Sequence, residues 1–596
     1  MTSTELANYH PIEFQDPHTL VNVLIGGAAG DGIMSAGQLL SKMITKNAYY
    51  THLYTEYPSL IRGGHNMVSI RVSDEEISCQ VYQVDILLAL NMETIELHLH
   101  KVTKGGAIIY DPRILRRTTT DDLNRPDIVW MPIPLQEIAK SIGSAKVIQN
   151  TVGVAAIISL LNLPENEFED ILKEMWEKRP AIANINVKAA ELGYNYVKEH
   201  YKAFKIELPD KDDEGLITLT GNMATAAGFI AGGISVFTGY PMSPATSLLE
   251  YMVKYSSEFD YMAVQCEDEI SAVTMAIGSN HAGGRAATGT SGGGMSLMVE
   301  AIGLAGSAEI PLVVVNVMRP GPSTGLPTWT NQSDLLFSIR LGQDVFPRII
   351  IAPGDIQEVF YLASEALNLA EEYQTPVLFL TDKWLGSSGF TTQPPTIENI
   401  KIRTGKTIML GSEPTDEDYK RYAITDDGVS PRSIPGLPRN MIFKSTGNEH
   451  QEDGKVNDQG PNRITQMDKR MKKMETIAKK LPKPEIIGVQ PEDADITIIS
   501  WGSNKGIIKD VMKRMPEIKI CFVHTVYVWP FPTEFISDVL NKSKVTILAE
   551  QNYDAQFGQL IRQYCLKDVD HKILRYDGRP LDPVEIVQDI NEFLRK

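Results

Sequence analysis

VNVLIGGAAGDGIMSAGQLLSKMITK, residues 21–46, opens on the apolar run Val21–Ile25, turns through the glycine-rich GGAAGDG (Gly26 to Gly32) and continues as a helical stretch to about Lys46. A strand that passes through glycines into a helix is the first half of a βαβ unit. Outward from it, strand-like runs recur at 67–72, 86–90, 107–110 and 128–132, separated by helix-like segments and closed by a helix at 187–200. That alternation predicts a mostly parallel sheet with helices on its faces. The unit spans 17–205, and the charged LPDKDDEG (208–215) reads as a linker.

The alternation returns at 216–400, with strands expected at 235–238, 262–264, 286–288, 312–317, 348–351 and 377–380. It returns again at 491–596, with strands expected at 496–500, 518–522, 544–550 and 573–576. The fold class is therefore multidomain α/β, built from three α/β modules. Residues 401–490 form a polar connecting segment, and its NEHQEDGKVNDQGPN (448–462) has no periodic apolar pattern and reads as loops wrapped on a neighbour. The segment ends in an amphipathic helix, with Ile464, Met467, Met471, Met474 and Ile477 at three- and four-residue spacing. Lys469, Arg470, Lys472 and Lys473 make up its other face, either a solvated surface or a docking strip for an acidic partner.

A chain of 596 residues is too long for one core and suggests about four domains at ~150 residues each. With 43% hydrophobic and 22% charged residues, it is not a mostly disordered chain. Its net charge of −18 speaks against nonspecific nucleic-acid binding. The four cysteines are scattered and form no CxxC pair, which excludes a four-cysteine cluster on this chain and a disulfide framework. Apolar stretches such as PLVVVNVM (311–318) fall short of the ~20 residues of a membrane span. The start, MTSTELANYHPIEFQDP, has no basic or apolar region, so no signal peptide is expected and the default location is cytoplasmic.

Several turns have the composition for chemistry. In GGAAGDG the backbone N–H groups can approach an anion, and the helix behind them favours phosphate. A tight turn without ligand is the alternative. Ser35 stands where a third glycine of GxGxxG belongs, which weakens an NAD-linked dehydrogenase. Gly30-Asp31-Gly32 looks like a magnesium–diphosphate anchor, but Tyr50–Leu60 lacks the asparagine such an anchor needs, so no metal is assigned to this chain. TGYPMSPATS (238–247) ends a strand in a turn stiffened by Pro241 and Pro244 that presents Ser243. Open α/β sheets place ligands at such strand ends. Glu267-Asp268-Glu269 opens a helix and complements its dipole, and the apolar face of that helix offers Glu269 a buried edge. GTSGGGM (289–295) lets a bulky ligand approach the backbone. Arg319 follows an apolar strand, where a planar guanidinium suits a carboxylate; a surface ion pair is the alternative. His65, His281, His450 and His524 are dispersed and read as structural, and His98 and His100 lack a third ligand.

Taken in order, these segments resemble the alpha subunit of the 2-oxoacid:ferredoxin oxidoreductases, in the form with a gamma domain fused at the N-terminus. GGAAGDGIMSAGQLL and YPSLIRGGHNMVSIRVS (57–73) are similar to the gamma domain. GNMATAAGFIAGG (221–233), YPMSP, EDEISA, GTSGGGM and RPGPSTGLPT are similar to a pyrimidine-type thiamine diphosphate domain. DGVSPRSIPG (427–436) and NEHQEDG match the connecting segment, and WPFP (529–532) and AEQNYDAQFGQL (549–560) a transketolase C-terminal-like domain. The family pattern is YPITP, and here Met242 and Ser243 replace isoleucine and threonine.

The resemblance implies oxidative decarboxylation of a 2-oxoacid, 2-oxoglutarate foremost, with coenzyme A to acyl-CoA, carbon dioxide and reduced ferredoxin, or the reverse. It implies thiamine diphosphate shared with a beta subunit, and Mg2+ and a [4Fe-4S] cluster on that partner. The chain alone would then be inactive. By the same resemblance Glu269 is the carboxyl on the cofactor's pyrimidine ring, and Arg319 and Ser243 hold the substrate's carboxylate and keto group. Tyr240 and Pro241 shape the wall, and Thr290, Ser291 and Gly292 line the cofactor side. Gly27, Ala28, Gly30 and Arg62 are candidates for the phosphates of coenzyme A. The rival is a non-catalytic scaffold that binds coenzyme A or a partner, which the joint presence of Glu269, Ser243 and Arg319 disfavours.

Overall fold

The computed structural model describes residues 19–59, 63–143, 148–202, 204, 206–209, 211, 215–408, 419–436 and 441–595. It divides into two compact units, Met1–Leu219 with Ser388–Pro394, and Thr220–Ser387 with Pro395–Lys596. In chain order the first strands are β1 (Val21–Ala28), β2 (Tyr50–Glu56), β3 (His65–Ser73), β4 (Val84–Ala89), β5 (Val102–Tyr110), β6 (Val129–Pro132) and β7 (Ile217–Thr220). Next come β8 (Val236–Gly239), β9 (Met262–Gln265), β10 (Ala286–Thr290), β11 (Leu312–Met318), β12 (Ile349–Ile351), β13 (Pro376–Asp382) and β14 (Gly389–Thr392). The last are β15 (Glu485–Gly488), β16 (Ile496–Trp501), β17 (Ile520–Thr525), β18 (Tyr527–Trp529), β19 (Thr546–Glu550) and β20 (His571–Leu574).

The first sheet runs β6-β5-β4-β1-β3-β2-β14-β7. Its β1, β4, β5 and β6 are parallel, as the alternation predicts. β3 is antiparallel to both β1 and β2, so the sheet is more mixed than expected. The reason is length: residues 57–64 between β2 and β3 are too few for a crossover helix. Residues 389–392 were expected in the second module, yet β14 pairs antiparallel with β2. Thr391 Oγ1 lies 2.8 Å from Thr51 Oγ1 and 3.0 Å from Thr45 Oγ1, a hydroxyl cluster that no periodicity announces.

The second sheet runs β18-β12-β13-β11-β10-β8-β9 and is parallel apart from β18. β11, LVVVNVM, is buried along its whole length, as expected of a central parallel strand covered on both faces. The chain leaves β8 for the edge strand β9 and then crosses back over β8 to β10. The order therefore reverses between β8 and β10, which is the crevice where such sheets bind ligands. The third sheet runs β15-β17-β16-β19-β20. Val314, Ile350 and Leu378 share one apolar core with Ile499, Val523 and Leu548, and β18 extends the second sheet against β12.

The helix Gly460–Lys480 buries Ile477, as its spacing requires, but departs from the expectation on its cationic face. Lys469, Arg470 and Lys473 are buried, whereas Ile464 is 64% exposed. Lys469 and Lys473 both reach the Glu309 carboxylate, Lys473 Nζ at 2.5 Å from Oε2. Arg470 grips Glu449 with two bonds of 2.9 and 2.7 Å. These three cations pin the connecting segment from within, as neither a solvated face nor a partner-docking strip; Lys472 alone of the four is exposed. Periodicity misses this because the acids come from distant segments. His450, in the polar stretch, is buried against the Tyr422 ring at 4.0 Å. Among the described residues no helix is long and apolar enough to cross a membrane.

Candidate functional site

Four strand ends carry the residues singled out in the second unit. β8, β9, β10 and β11 are neighbours in register, with Gly239 opposite Gly289 and Gln265, and Thr290 opposite Asn316. Their carboxyl ends release Tyr240–Pro244, Glu267–Glu269, Ser291–Gly294 and Arg319. The switch point thus lies between the YPMSP turn and the GTSGGGM turn.

The three consecutive acids divide their roles. Asp268 caps the helix Glu269–His281 by accepting from Ser271 N at 2.7 Å. Glu267 is exposed. Glu269 is only 3% exposed, and its Oε1 has no hydrogen-bond partner. An unpaired buried carboxyl oxygen is costly and signals a missing ligand or a chemical role. The space around it is shaped by glycine: a Cβ at Gly294 would stand 2.1 Å from Thr290 Oγ1 and 2.7 Å from Glu269 Oε1. Gly294→Ala is therefore expected to displace the Glu269 carboxyl and to lower turnover by about 10²-fold with the fold retained, checked by kcat beside a thermal transition.

Thr290 and Ser291 are fully buried, and Ser291 Oγ has no partner. Gly292 opens the helix Gly292–Ser307, and a Cβ there would meet the Asp334 carboxylate at 2.5 Å. Arg319 is 8% exposed. Its Nη1 donates to the Ser243 carbonyl at 2.5 Å, while its Nε has no partner. Asn222 Nδ2 holds the same turn through Pro244 O at 3.0 Å and Ser247 Oγ at 2.7 Å. Tyr240, Pro241 and Ser243 stand exposed at its rim.

Asp334, Asn316 and Asn222 were not foreseen as site residues. Asn316 Nδ2 donates to Asp334 Oδ2 at 3.0 Å. Burial pushes the Asp334 carboxyl up, against the Asn316 bond and the field of Arg319. Burial pulls the Arg319 guanidinium down, opposed by Asp334. No motif marks Asp334, because only the return of the loop 319–334 brings it to Gly292.

In the first unit, β1 runs through Gly26 and Gly27 to Ala28, so the turn proper is Ala29–Gly32. A Cβ at Gly27 would meet Ile33 and Leu90, a packing reason for that glycine. Gly30 and Gly32 adopt φ of 88° and 77°, which favours glycine. Asp31 Oδ2 accepts from Ala28 N at 3.2 Å, and Asn150 Nδ2 donates to Asp31 O. The helix Ile33–Lys46 behind the turn starts at a glycine N-cap, which brings no side-chain acceptor of its own to the first N–H groups. A cavity of about 350 Å3 adjoins, lined by Gly32, Ser35, Ile148, Asn150 and Trp176 among others. His98 pairs with His65, Nε2 to Nε2 at 2.8 Å, rather than with His100. Arg62 lies outside the described residues.

A family model described as pyruvate flavodoxin/ferredoxin oxidoreductase, thiamine diP-bdg, matches residues 227–474. A second, pyruvate ferredoxin/flavodoxin oxidoreductase, matches residues 22–196. The chain is 32% identical to the 2-oxoacid:ferredoxin oxidoreductase subunit alpha of Saccharolobus solfataricus, over 97% of this chain and 98% of that one. It is 27% identical to the 2-oxoglutarate oxidoreductase subunit KorA of Mycobacterium tuberculosis, over 93% of this chain and 89% of that one. A solved 2-oxoglutarate:ferredoxin oxidoreductase from Magnetococcus marinus, with 2-oxoglutarate, coenzyme A and succinyl-CoA bound, superposes with a TM-score of 0.89 at 31% identity, covering 96% of this chain and 99% of that one.

Proposed function

The chain belongs to the alpha subunits of the 2-oxoacid:ferredoxin oxidoreductases, and from that premise we propose that it forms half of a split site for the coenzyme-A-dependent oxidation of a 2-oxoacid, with 2-oxoglutarate foremost. The carrying observation is the buried, unpartnered Oε1 of Glu269 at the switch point, in a space kept open by Gly294. This donor set fits the pyrimidine half of thiamine diphosphate, and the matching family model is described as thiamine diphosphate binding. When bound, that cofactor supplies a carbon able to accept the electron pair left by decarboxylation.

Glu269 would offer its unpartnered Oε1 to the pyrimidine ring of the bound cofactor, where a carboxyl can share a proton with a ring nitrogen. Thr290, Ser291 and Gly292 lie along the same edge, and the buried Ser291 hydroxyl is available to it. Arg319 is anchored by Nη1 on Ser243 O and leaves Nε for the substrate carboxylate. Tyr240, Pro241 and the Ser243 hydroxyl form the rim over the keto group. Gly30 in the turn, with Gly27 and Ala28 at the end of β1 leading into it, would receive the phosphates of coenzyme A. The 2-oxoglutarate choice is supported by the ligand in the Magnetococcus structure and by the name of the mycobacterial relative.

A beta subunit completes the reading. It would hold the diphosphate with Mg2+ and a [4Fe-4S] cluster that passes single electrons to ferredoxin, since the four cysteines here are too scattered in sequence for a cluster motif. Met262 on β9, Ile270 and Met275 on the helix Glu269–His281 and Leu297 on the helix Gly292–Ser307 are between 44% and 61% exposed, which suits burial by such a partner.

The test is an anaerobic assay of the native complex containing this chain, with thiamine diphosphate, Mg2+, coenzyme A, a viologen acceptor and a panel of 2-oxoglutarate, pyruvate and 2-oxobutyrate. Coenzyme-A-dependent viologen reduction, fastest with 2-oxoglutarate and absent from the isolated chain, is expected. Arg319→Gln should raise the KM for the oxoacid by about tenfold to a hundredfold and leave that for coenzyme A unchanged. Activity of the isolated chain, or indifference of that KM to Arg319, would overturn the reading.

A further inference from the structure

The loop 319–334 leaves β11 at Arg319 and returns at Asp334, which accepts from Asn316 Nδ2 of β11 at 3.0 Å, while Thr330 N donates to Gly578 O at 2.9 Å. Between those two points the arm is held by Gln332. It is fully buried, and both its backbone groups and its side chain are bonded to the third-sheet module. Its N donates to Gln551 O at 2.7 Å, and its O accepts from Asn552 Nδ2 at 3.1 Å. Its side-chain Oε1 accepts twice, from Asn504 Nδ2 at 2.9 Å and from Gln551 N at 3.0 Å. Its Nε2 donates to Trp501 O at 3.1 Å. The next residue continues the contact, because Gln556 Nε2 donates to Ser333 O at 2.8 Å. Two residues after Gln332 stands Asp334, beside Gly292 and within the field of Arg319.

We propose that Gln332 is a positioning residue for substrate binding, a tie by which the third-sheet module holds the returning arm of the loop that carries Arg319. The inference rests on the reading of Arg319 as the carboxylate-binding group. A module docked only for stability would not need this tie. The same interface is already held by Ser503 on Asp382, by Lys505 on Asp355 and Glu358, by β18 on β12 and by the shared apolar core. Those contacts touch helices and strands, whereas Gln332 touches the loop. Its geometry also makes it sensitive: one amide serves two donors and one acceptor in a site without water access, so the orientation is fixed.

The test is Gln332→Glu in the native complex, with the KM for the oxoacid and for coenzyme A measured from pH 5.5 to 8.5 against wild type. The introduced carboxyl can still accept from Asn504 and Gln551. It can donate to Trp501 O only while protonated, and burial favours that form. The KM for the oxoacid is expected to rise by about tenfold at the alkaline end and to recover towards wild type at the acidic end, with the KM for coenzyme A unmoved. Asn504→Ala, which removes one bond to the same amide, should raise the oxoacid KM at all pH values without the recovery. If Arg319→Gln raises the oxoacid KM but neither variant does, the tie is refuted while the carboxylate reading stands. If Arg319→Gln itself has no effect, the underlying reading fails first. Failure of both tie variants to assemble, or parallel changes for both substrates, would show that Gln332 holds the fold rather than the loop and would overturn the proposal.

Discussion

Glu269→Gln in the assembled complex is expected to lower turnover by about 10²- to 10⁴-fold while leaving assembly and the thermal transition unchanged. The substitution conserves volume, so the packing that buries this side chain to 3% exposure is retained. The helix keeps its start, because the cap is Asp268 and not Glu269. What changes is the atom at the orphaned Oε1 position. A carboxyl there can hold and share a proton with a ligand nitrogen, whereas an amide presents either a fixed donor or an acceptor with no exchangeable acid proton. The measurement is kcat of the cofactor-loaded complex for both proteins, with cofactor affinity determined separately by calorimetry. Normal turnover would remove Glu269 from the reaction. A loss explained wholly by weaker cofactor binding would assign it to holding the cofactor rather than to proton transfer.

The features that could be read in advance are those whose signal is local. The strand–turn–helix alternation announces three α/β modules, and YPMSP and GTSGGGM are recognisable as strand-end turns before any coordinates. Their meeting at the same switch point is a consequence of strand order, with β8 between β9 and β10. Burial of Glu269 follows from an apolar helix face, although the sequence leaves open which of three acids caps the helix. The features that could not be read depend on long-range polar pairing. Asp334 reaches Gly292 across 42 positions, and Gln332 meets Gln551 219 positions away. The helix Gly460–Lys480 shows the same limit from the other side. Its lysines bear no mark that distinguishes a buried cation from a solvated one, because the distinction lies on Glu309, 160 positions upstream of Lys469.

That buried cluster carries the largest expected stability effect. Glu309→Ala should destabilise the second unit by about 3–5 kcal/mol, measured as a shift of its urea transition. The carboxylate is fully buried and receives Lys469 and Lys473, whose ammonium groups are themselves buried, and Arg421 Nη2 donates to its backbone carbonyl at 2.7 Å. Removing the acid leaves these cations in a low-dielectric interior without their counter-charge, which costs far more than the loss of a surface pair. The sign of the pH dependence follows from the same geometry. Burial pushes the Glu309 carboxyl upward, but the charges of Lys469, Lys473 and Arg421 outweigh it and hold it well below the usual carboxylate range. A depressed folded value means that the stabilisation is complete above the unfolded value of about 4.3 and is lost as pH falls below it. Wild type should therefore lose stability steeply on that acid limb, and Glu309→Ala should start lower and fall less. The combined replacement of Glu309, Lys469 and Lys473 by leucine and two methionines removes the acid together with both lysines that grip it, and leaves Arg421 on its bond to the backbone carbonyl of residue 309. It should recover most of the deficit, whereas Glu309→Leu, which fills the cavity but leaves both lysines without their acid, should recover little if uncompensated charge is the cause and most of it if the cavity is.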